Sequence, residues 1–155
     1  VSFGVGAGTG RYRPSIKAFN IERAAHDWLI TMSLEKMFTR FPNLRVASVE
    51  NGSDYLAHMF RKLGQQREKT PRWFEHDPVQ VFREHVWMNP FWEDDVDELI
   101  DLMGADRVIF GSDWPHVEGM PTPLHYLGEV EHLSENDRRL VLRDNTRALT
   151  ELRPA

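Results

Sequence analysis

Arg107-Val108-Ile109-Phe110-Gly111 is a continuous apolar run bounded by a charged residue and a glycine. Such a run is typical of a parallel strand covered on both faces, because neither side of the strand meets water. A helical pattern precedes the run. Its apolar residues share one face: Val96, Leu99, Ile100 and Met103. A helix that leads into a buried strand predicts an α/β fold with a parallel sheet.

The same alternation extends along the chain. Earlier strands are predicted at residues 1–5, 45–50 and 85–89. Helices are predicted from an N-cap at Asn20 to Phe41, from Tyr55 to a C-cap at Gly64, from Asp94 to Gly104, and from a capping box at Ser134 to about Leu152. A weaker helical segment is predicted at 121–132 and a polar loop at 65–76. Four βα units give four strands, half of the eight in a closed (β/α)8 barrel.

Composition excludes several classes of protein and site. The 155 residues carry a formal net charge of −5 without a long block of one sign, which argues against a nucleic-acid partner. No apolar run approaches the ~20 residues of a membrane span, so we expect a cytoplasmic protein with no membrane partner. The chain has no cysteine, which excludes disulfides and thiolate ligands. Any metal site must therefore use His, Asp or Glu.

Polar residues stand where the predicted strands end. These positions matter because the carboxyl ends of parallel strands face the active site in this architecture. They are Gly4, Glu50, Asn89, and Asp113 with Trp114 and His116. An aspartate at the end of a buried strand must be paired, hydrogen-bonded or bound to a metal to stay charged. We therefore predict that Asp113 is an active-site residue.

Each of these residues also has a structural interpretation. Asp113 could instead cap the turn over residues 111–116 by accepting backbone amides. Histidine titrates nearest neutral pH, so His116 could orient a substrate or move a proton, or it could satisfy backbone groups beside Pro115. Glu50 could ligate a divalent cation, or it could pair with a neighbouring arginine. The residues alone leave these alternatives open.

Two common motifs of nucleotide-binding domains and serine hydrolases are absent from the sequence. The glycines at 4–10 do not form the dinucleotide-binding G-x-G-x-x-G pattern, because Thr9 or Arg11 falls at its last position, and no Walker lysine follows. A nucleotide-binding domain is therefore poorly supported. The chain also lacks the G-x-S-x-G sequence of serine hydrolases.

Three segments together resemble a known family. They are Phe41–Val46, Val86–Phe91 and Gly104–His116, and Asp144-Asn145 near the C-terminus also fits. They are similar to the amidohydrolase-related family that includes aminocarboxymuconate-semialdehyde decarboxylase. The resemblance implies the C-terminal half of a TIM-like (β/α)8 barrel, in which an aspartate matching Asp113 serves one catalytic divalent metal, usually zinc. It also implies a metal-dependent hydrolase or decarboxylase acting on a small-molecule substrate.

The chain departs from the family pattern at other positions. No two histidines are two residues apart, so the family's His-x-His after strand 1 is absent, and Gly4 and Glu50 stand near two other histidine positions. We therefore predict metal ligands at Asp113 and Glu50, catalysis by Asp113, and substrate contacts from Trp114, His116 and Asn89. A metal-free barrel relative that binds a ligand or assembles with other chains is the alternative.

The domain is expected to be incomplete. Val1 already lies in a predicted strand, and four strands would leave unpaired edges. We therefore expect residues 1–155 to form a single partial domain whose N-terminal half is absent and which is inactive alone. Such a chain should form a homo-oligomer or associate with an N-terminal half-barrel.

Overall fold

A computed structural model describes residues 16–116 and 119–151 of the chain. The predicted strand over residues 1–5, with Gly4, lies outside the described residues. Two strands form a parallel pair, β1 (Val46–Val49) and β2 (Val86–Asn89). Their register pairs Val46 with Val86 and Val49 with Asn89. Both strands therefore end at the same edge of the sheet.

The apolar run over residues 107–111 contributes less sheet than predicted. Val108 forms an isolated parallel bridge to Met88 of β2, and the amide of Ile109 donates to the Met88 carbonyl at 2.9 Å. The amide of Phe110 instead donates to the Val141 carbonyl at 3.1 Å, so the run turns away from the sheet. The parallel direction is as predicted. Three of the four predicted strands fall in the described part of the chain, and of these two form strands and the third forms a single bridge.

Helices make up most of the remaining structure. The α-helices are α1 (Ile16–Leu34), α2 (Met37–Arg40), α3 (Leu56–Lys69), α4 (Pro78–His85), α5 (Val96–Met103), α6 (Tyr126–Glu129), α7 (Glu135–Arg139) and α8 (Asn145–Thr150). A π-helical turn, Leu140–Asp144, joins α7 to α8, and short 3-10 turns cover Ala105–Arg107 and Pro123–His125. The last predicted helix is therefore present, but it is interrupted.

Several helix boundaries differ from the sequence prediction. Asn20 lies inside α1 and is not its N-cap. Gly64 does not end α3, which continues to Lys69 and shortens the predicted loop. A helical glycine costs about 1 kcal/mol relative to alanine, and the buried side chains of Leu56, Met59 and Leu63 offset that cost.

The helix α4 was not predicted from the sequence. The side chain of Asp77 accepts the Val79 amide at 2.9 Å, and Pro78 occupies the first position of α4. An aspartate cap followed by proline is a recognised helix start, so this signal was available in the sequence. His85 belongs to the end of α4 and not to the following strand.

Two predicted helix starts are confirmed by their caps. The Asp95 side chain accepts the amides of Asp97 and Glu98 at 3.0 Å, and Gly104 ends α5 with a positive φ of 90°. Ser134 accepts the Asp137 amide at 3.1 Å at the start of α7.

The two faces of the sheet have different surroundings. Val46, Val86 and Met88 belong to the main core, where they pack with helix residues such as Leu63, Phe82 and Leu99. The opposite face carries Ala47, Val49, Trp87 and Asn89, because side chains alternate along a strand. Ala47 and Val49 are exposed, whereas the Arg107 guanidinium lies 4.7 Å from the centre of the Trp87 ring. We call this second side the inner face of the sheet.

Candidate metal centre

The predicted site residues lie together at the carboxyl edge of the sheet. Glu50 follows β1 directly, Asn89 is the last residue of β2, and Asp113 and His116 lie in the turn after the Val108 bridge. Parallel strands bring these positions to one edge, as predicted.

Glu50, Asp113 and His116 form a compact group. Each offers one ligand atom, and the three atoms all lie within 4.8 Å of one another. The Nδ1 of His116 is 2.6 Å from the Oδ1 of Asp113. Asp113 is the most enclosed member, with its side chain 18% exposed, whereas the His116 side chain is 64% exposed. The group is therefore open to solvent on one side.

The elements that carry Glu50 and Asp113 lie on opposite sides of β2. β1 pairs with one edge of β2, and Val108 bridges to the other edge. Two strand spacings of ~4.8 Å place the elements that carry Glu50 and Asp113 about 9.5 Å apart. The side chains must therefore reach toward each other across Asn89.

Both carboxylate residues adopt a left-handed backbone. Glu50 has a φ of 56° and Asp113 a φ of 53°, and among the described non-glycine residues Lys36 alone shares this feature. A left-handed conformation costs an ordinary residue roughly 1–2 kcal/mol, although aspartate tolerates it better than most. Such strain is common at functional sites. Here it turns both carboxylates toward the carboxyl edge.

Main-chain hydrogen bonds close the turn that carries Asp113. The His116 amide donates to the Asp113 carbonyl at 2.8 Å, and the Met120 amide donates to the Ser112 carbonyl at 2.8 Å. A Cβ on Gly119 would lie 2.5 Å from the Asp113 carbonyl oxygen, so only glycine fits there. Among the described residues, no backbone amide donates to the Asp113 carboxylate. That carboxylate faces His116 instead.

The other predicted site residues have different environments. Trp114 is exposed beside the group. Asn89 is 4% exposed, and its Nδ2 donates to the carbonyls of Pro90 and Ile109, each at 3.3 Å.

A second acidic group comprises Asp54 and Asp94, in the loops after β1 and β2, and Glu22 of α1. Burial raises the pKa of Asp94 above its usual value, while hydrogen bonds from the Ser53 hydroxyl at 2.9 Å and the Phe91 amide at 3.1 Å oppose the shift. Burial also raises the pKa of Glu22, and the charges of Asp54 and Asp94 add to the effect. None of the three was predicted from the sequence, although the position of Asp54 and Asp94 after two strand ends was a usable signal.

Tyr126 is a further buried polar residue near this acidic group. Burial raises its pKa to about 12, with smaller contributions from Glu129 and Asp94. Its ring stacks on Phe110 with the ring centres 4.5 Å apart. The phenol is therefore neutral across the physiological pH range.

Comparison with known proteins identifies the family. The profile of the amidohydrolase family matches residues 21–151. The chain belongs to the amidohydrolase family. Members of this family usually bind a divalent metal, and the group of Glu50, Asp113 and His116 supplies a possible ligand set.

A solved structure supports the same assignment. The chain is similar to the crystal structure of an amidohydrolase from Mycobacterium avium subsp. paratuberculosis K-10, with 37% sequence identity and a TM-score of 0.83. The match covers 92% of this chain and 37% of that one. The chain thus spans little more than a third of the length of that amidohydrolase. No curated protein gives a significant match.

The family assignment confirms the predicted amidohydrolase fold, which belongs to the TIM-barrel superfamily. The decarboxylase-like subfamily and the position of the chain in the C-terminal half of the barrel stay predictions. None of the helices in the described part of the chain combines the length and apolar character that a membrane span needs.

Proposed function

We propose that this chain supplies one side of a metal-dependent hydrolase site, in which Glu50, Asp113 and His116 hold a divalent cation. The observation that carries the proposal is the convergence of their three ligand atoms within 4.8 Å. Compared with the sequence prediction, the proposal adds His116 to the ligand set.

The donor set fits a catalytic divalent metal. Two carboxylate oxygens and one imidazole nitrogen suit zinc, and carboxylate ligands also suit manganese. Three protein ligands with one open position are usual for a catalytic zinc site, whereas a structural site is closed by four. The exposure of Glu50 and His116 leaves room for water and substrate. Zinc is the metal we propose.

The side chains have distinct roles in this site. When bound, the cation supplies Lewis acidity, which makes hydroxide available at neutral pH and polarises a carbonyl or carboxylate. Asp113 would take the proton of the attacking water at its Oδ1, which leaves the other carboxylate oxygen for the cation. The His116 Nδ1, 2.6 Å away, would receive or return that proton, which leaves its Nε2 for the cation. Trp114 offers an exposed ring against which a small-molecule substrate can lie. Hydrolysis of an amide or ester is the proposed reaction, with decarboxylation as the second possibility.

A second half-barrel would complete the site. Because the chain covers 37% of the comparison structure, we propose that residues 1–155 form the C-terminal half of the barrel as one partial domain. The exposed Ala47 and Val49 of the inner face are where an N-terminal half-barrel, or another copy of this chain, would pack. An N-terminal half-barrel would supply the His-x-His pair that this chain lacks.

Metal titration tests the proposal. Isothermal titration of the chain with Zn²⁺ should show about one site per chain, and Asp113→Asn or Glu50→Gln should remove it. The matched control is Asp97→Asn, because Asp97 also faces a histidine, His132, at 2.7 Å but lies on α5. Equal binding by the Asp97 and Asp113 variants would show surface binding only. Absence of binding, alone and with an N-terminal half-barrel, would favour the metal-free relative, which the glutamate at position 50 already suggests.

A further inference from the structure

We propose that Asn89 is a positioning residue, which holds the 111–116 turn at the distance from Glu50 at which Asp113 can share a cation with it. This inference rests on the proposed function. Asn89 is the last residue of β2, which lies between Glu50 and Asp113, and its proposed role differs from the substrate contact predicted from the sequence.

The position of Asn89 makes this role possible. It pairs with Val49, the residue before Glu50, and it follows Met88, which bridges to Val108. In the described part of the chain, β2 therefore lies between the strand that leads to Glu50 and the segment that leads to Asp113. A change at the end of β2 should therefore alter the separation of the two carboxylates.

The contacts of Asn89 show how it acts. Its Nδ2 donates to the Ile109 carbonyl, two residues before Gly111, and to the carbonyl of Pro90, each at 3.3 Å. A Cβ on Gly111 would lie 2.8 Å from the Asn89 Oδ1 and 3.0 Å from its Nδ2. The carboxamide thus occupies the space that a side chain at position 111 would need. Gly111 allows the close approach, and the hydrogen bonds maintain it.

The chain contains a matched control. Asn145 is also buried, at 3% exposure, and its Nδ2 donates to the carbonyls of Ala105 and Val108, each at 2.7 Å. It therefore holds the beginning of the same segment, at the end remote from Asp113. Asn89→Ala and Asn145→Ala each remove a carboxamide that donates hydrogen bonds to the segment over residues 105–109.

Two readouts test the inference. Asn89→Ala should weaken Zn²⁺ affinity about 10- to 100-fold, the usual effect of removing a group that orients metal ligands. It should also speed hydrogen exchange at the His116 and Met120 amides, which close the turn. Asn145→Ala should leave affinity within about threefold of wild type and leave these two amides protected. Equal effects of the two variants on both readouts would overturn the inference.

The hydrogen-exchange readout separates this inference from the metal proposal. If the wild-type chain binds no Zn²⁺, either alone or with an N-terminal half-barrel, the proposed function fails, and exchange at His116 and Met120 alone decides the role of Asn89.

A double variant tests the contact between Asn89 and position 111 by stability alone, without metal binding. Gly111→Ala should destabilise the wild-type chain because of the contact with Asn89, and it should destabilise the Asn89→Ala chain less, since the space is then free. Urea unfolding gives the measurement. Equal destabilisation in both backgrounds would show that Asn89 does not occupy the space beside Gly111, and this result would overturn the inference.

Discussion

Asp113 combines a strained backbone with a polar side chain in a solvent-open site. Its φ is 53°, and its carboxylate lies close to the ligand atoms of His116 and Glu50. Conformational strain of this kind reduces stability and is retained where it serves a function. A substitution at position 113 that relieves the backbone strain and removes the carboxylate should therefore favour stability and abolish metal binding.

We expect Asp113→Gly to be more stable than Asp113→Ala by about 1 kcal/mol, because glycine adopts a positive φ without steric cost. Both variants should lose Zn²⁺ binding, since neither carries a carboxylate. Urea unfolding measures the first effect and titration the second. Equal stability of the two variants would mean that the positive φ of Asp113 carries no strain.

Asp94 should make stability depend on pH. Burial raises its pKa above the ordinary value of 3.8, so the folded chain holds this proton more tightly than the unfolded chain does. Stability should therefore fall as pH rises from about 4 through the raised pKa. Asp94→Asn should flatten this part of the profile in urea unfolding at a series of pH values, whereas Asp97→Asn should not. Parallel profiles for wild type and Asp94→Asn would contradict the assignment.

At the scale of elements, helix boundaries follow local caps where these exist and packing where they do not. The caps at Asp77, Asp95 and Ser134 each accept backbone amides at the start of a helix. In α3, by contrast, packing of the buried face carries the helix through Gly64. A methyl group at position 64 would point into open space, with no heavy atom within 4 Å beyond its own stretch of helix.

Gly64→Ala should therefore raise the free energy of unfolding by about 0.5–1 kcal/mol, because alanine loses less conformational freedom in a helix and meets no obstruction. The contrasting variant is Gly52→Ala. Gly52 has a φ of 68°, and its Cβ would lie 3.0 Å from Glu22 and Phe91, so this change should be destabilising. Urea unfolding of the two variants is the measurement. A loss of stability in Gly64→Ala would show that the helix does not continue through this position.

At the scale of the whole molecule, the two faces of the sheet are covered to different extents, because the inner face is buried at Trp87 and Asn89 but exposed on β1. Val46, Val86 and Met88 are covered by helices, whereas Ala47 and Val49 on the inner face are exposed. In a closed barrel, side chains from all strands fill the interior. The exposed inner face therefore provides an apolar surface for association.

We expect the chain to self-associate as its concentration rises and Val49→Lys to reduce this association. The control is Leu127→Lys, because Leu127 is as exposed as Val49, at 50%, but lies on α6. Sedimentation velocity over a concentration series gives the measurement. An equal reduction by both variants would indicate nonspecific apolar contact and no particular role for the sheet.

Much of this protein follows from local sequence. The parallel direction of the strands, α5 with its caps, the start of α7 and the position of Asp113 near the ends of β1 and β2 could all be predicted. The physical reason is that apolar periodicity and capping hydrogen bonds act within a few residues. The resemblance carried by Gly104–His116 led to the family, which the comparisons confirm.

Tertiary structure decided the remainder. The grouping of His116 with Glu50 and Asp113 depends on two chain segments that β2 holds apart, and no pattern within either segment specifies that distance. The Phe110 amide bonds to Val141 and not to a strand, because a partner distant in sequence competes for it. The same holds for Asn89, whose buried contacts with Ile109 and Gly111 arise only when neighbouring strands come together.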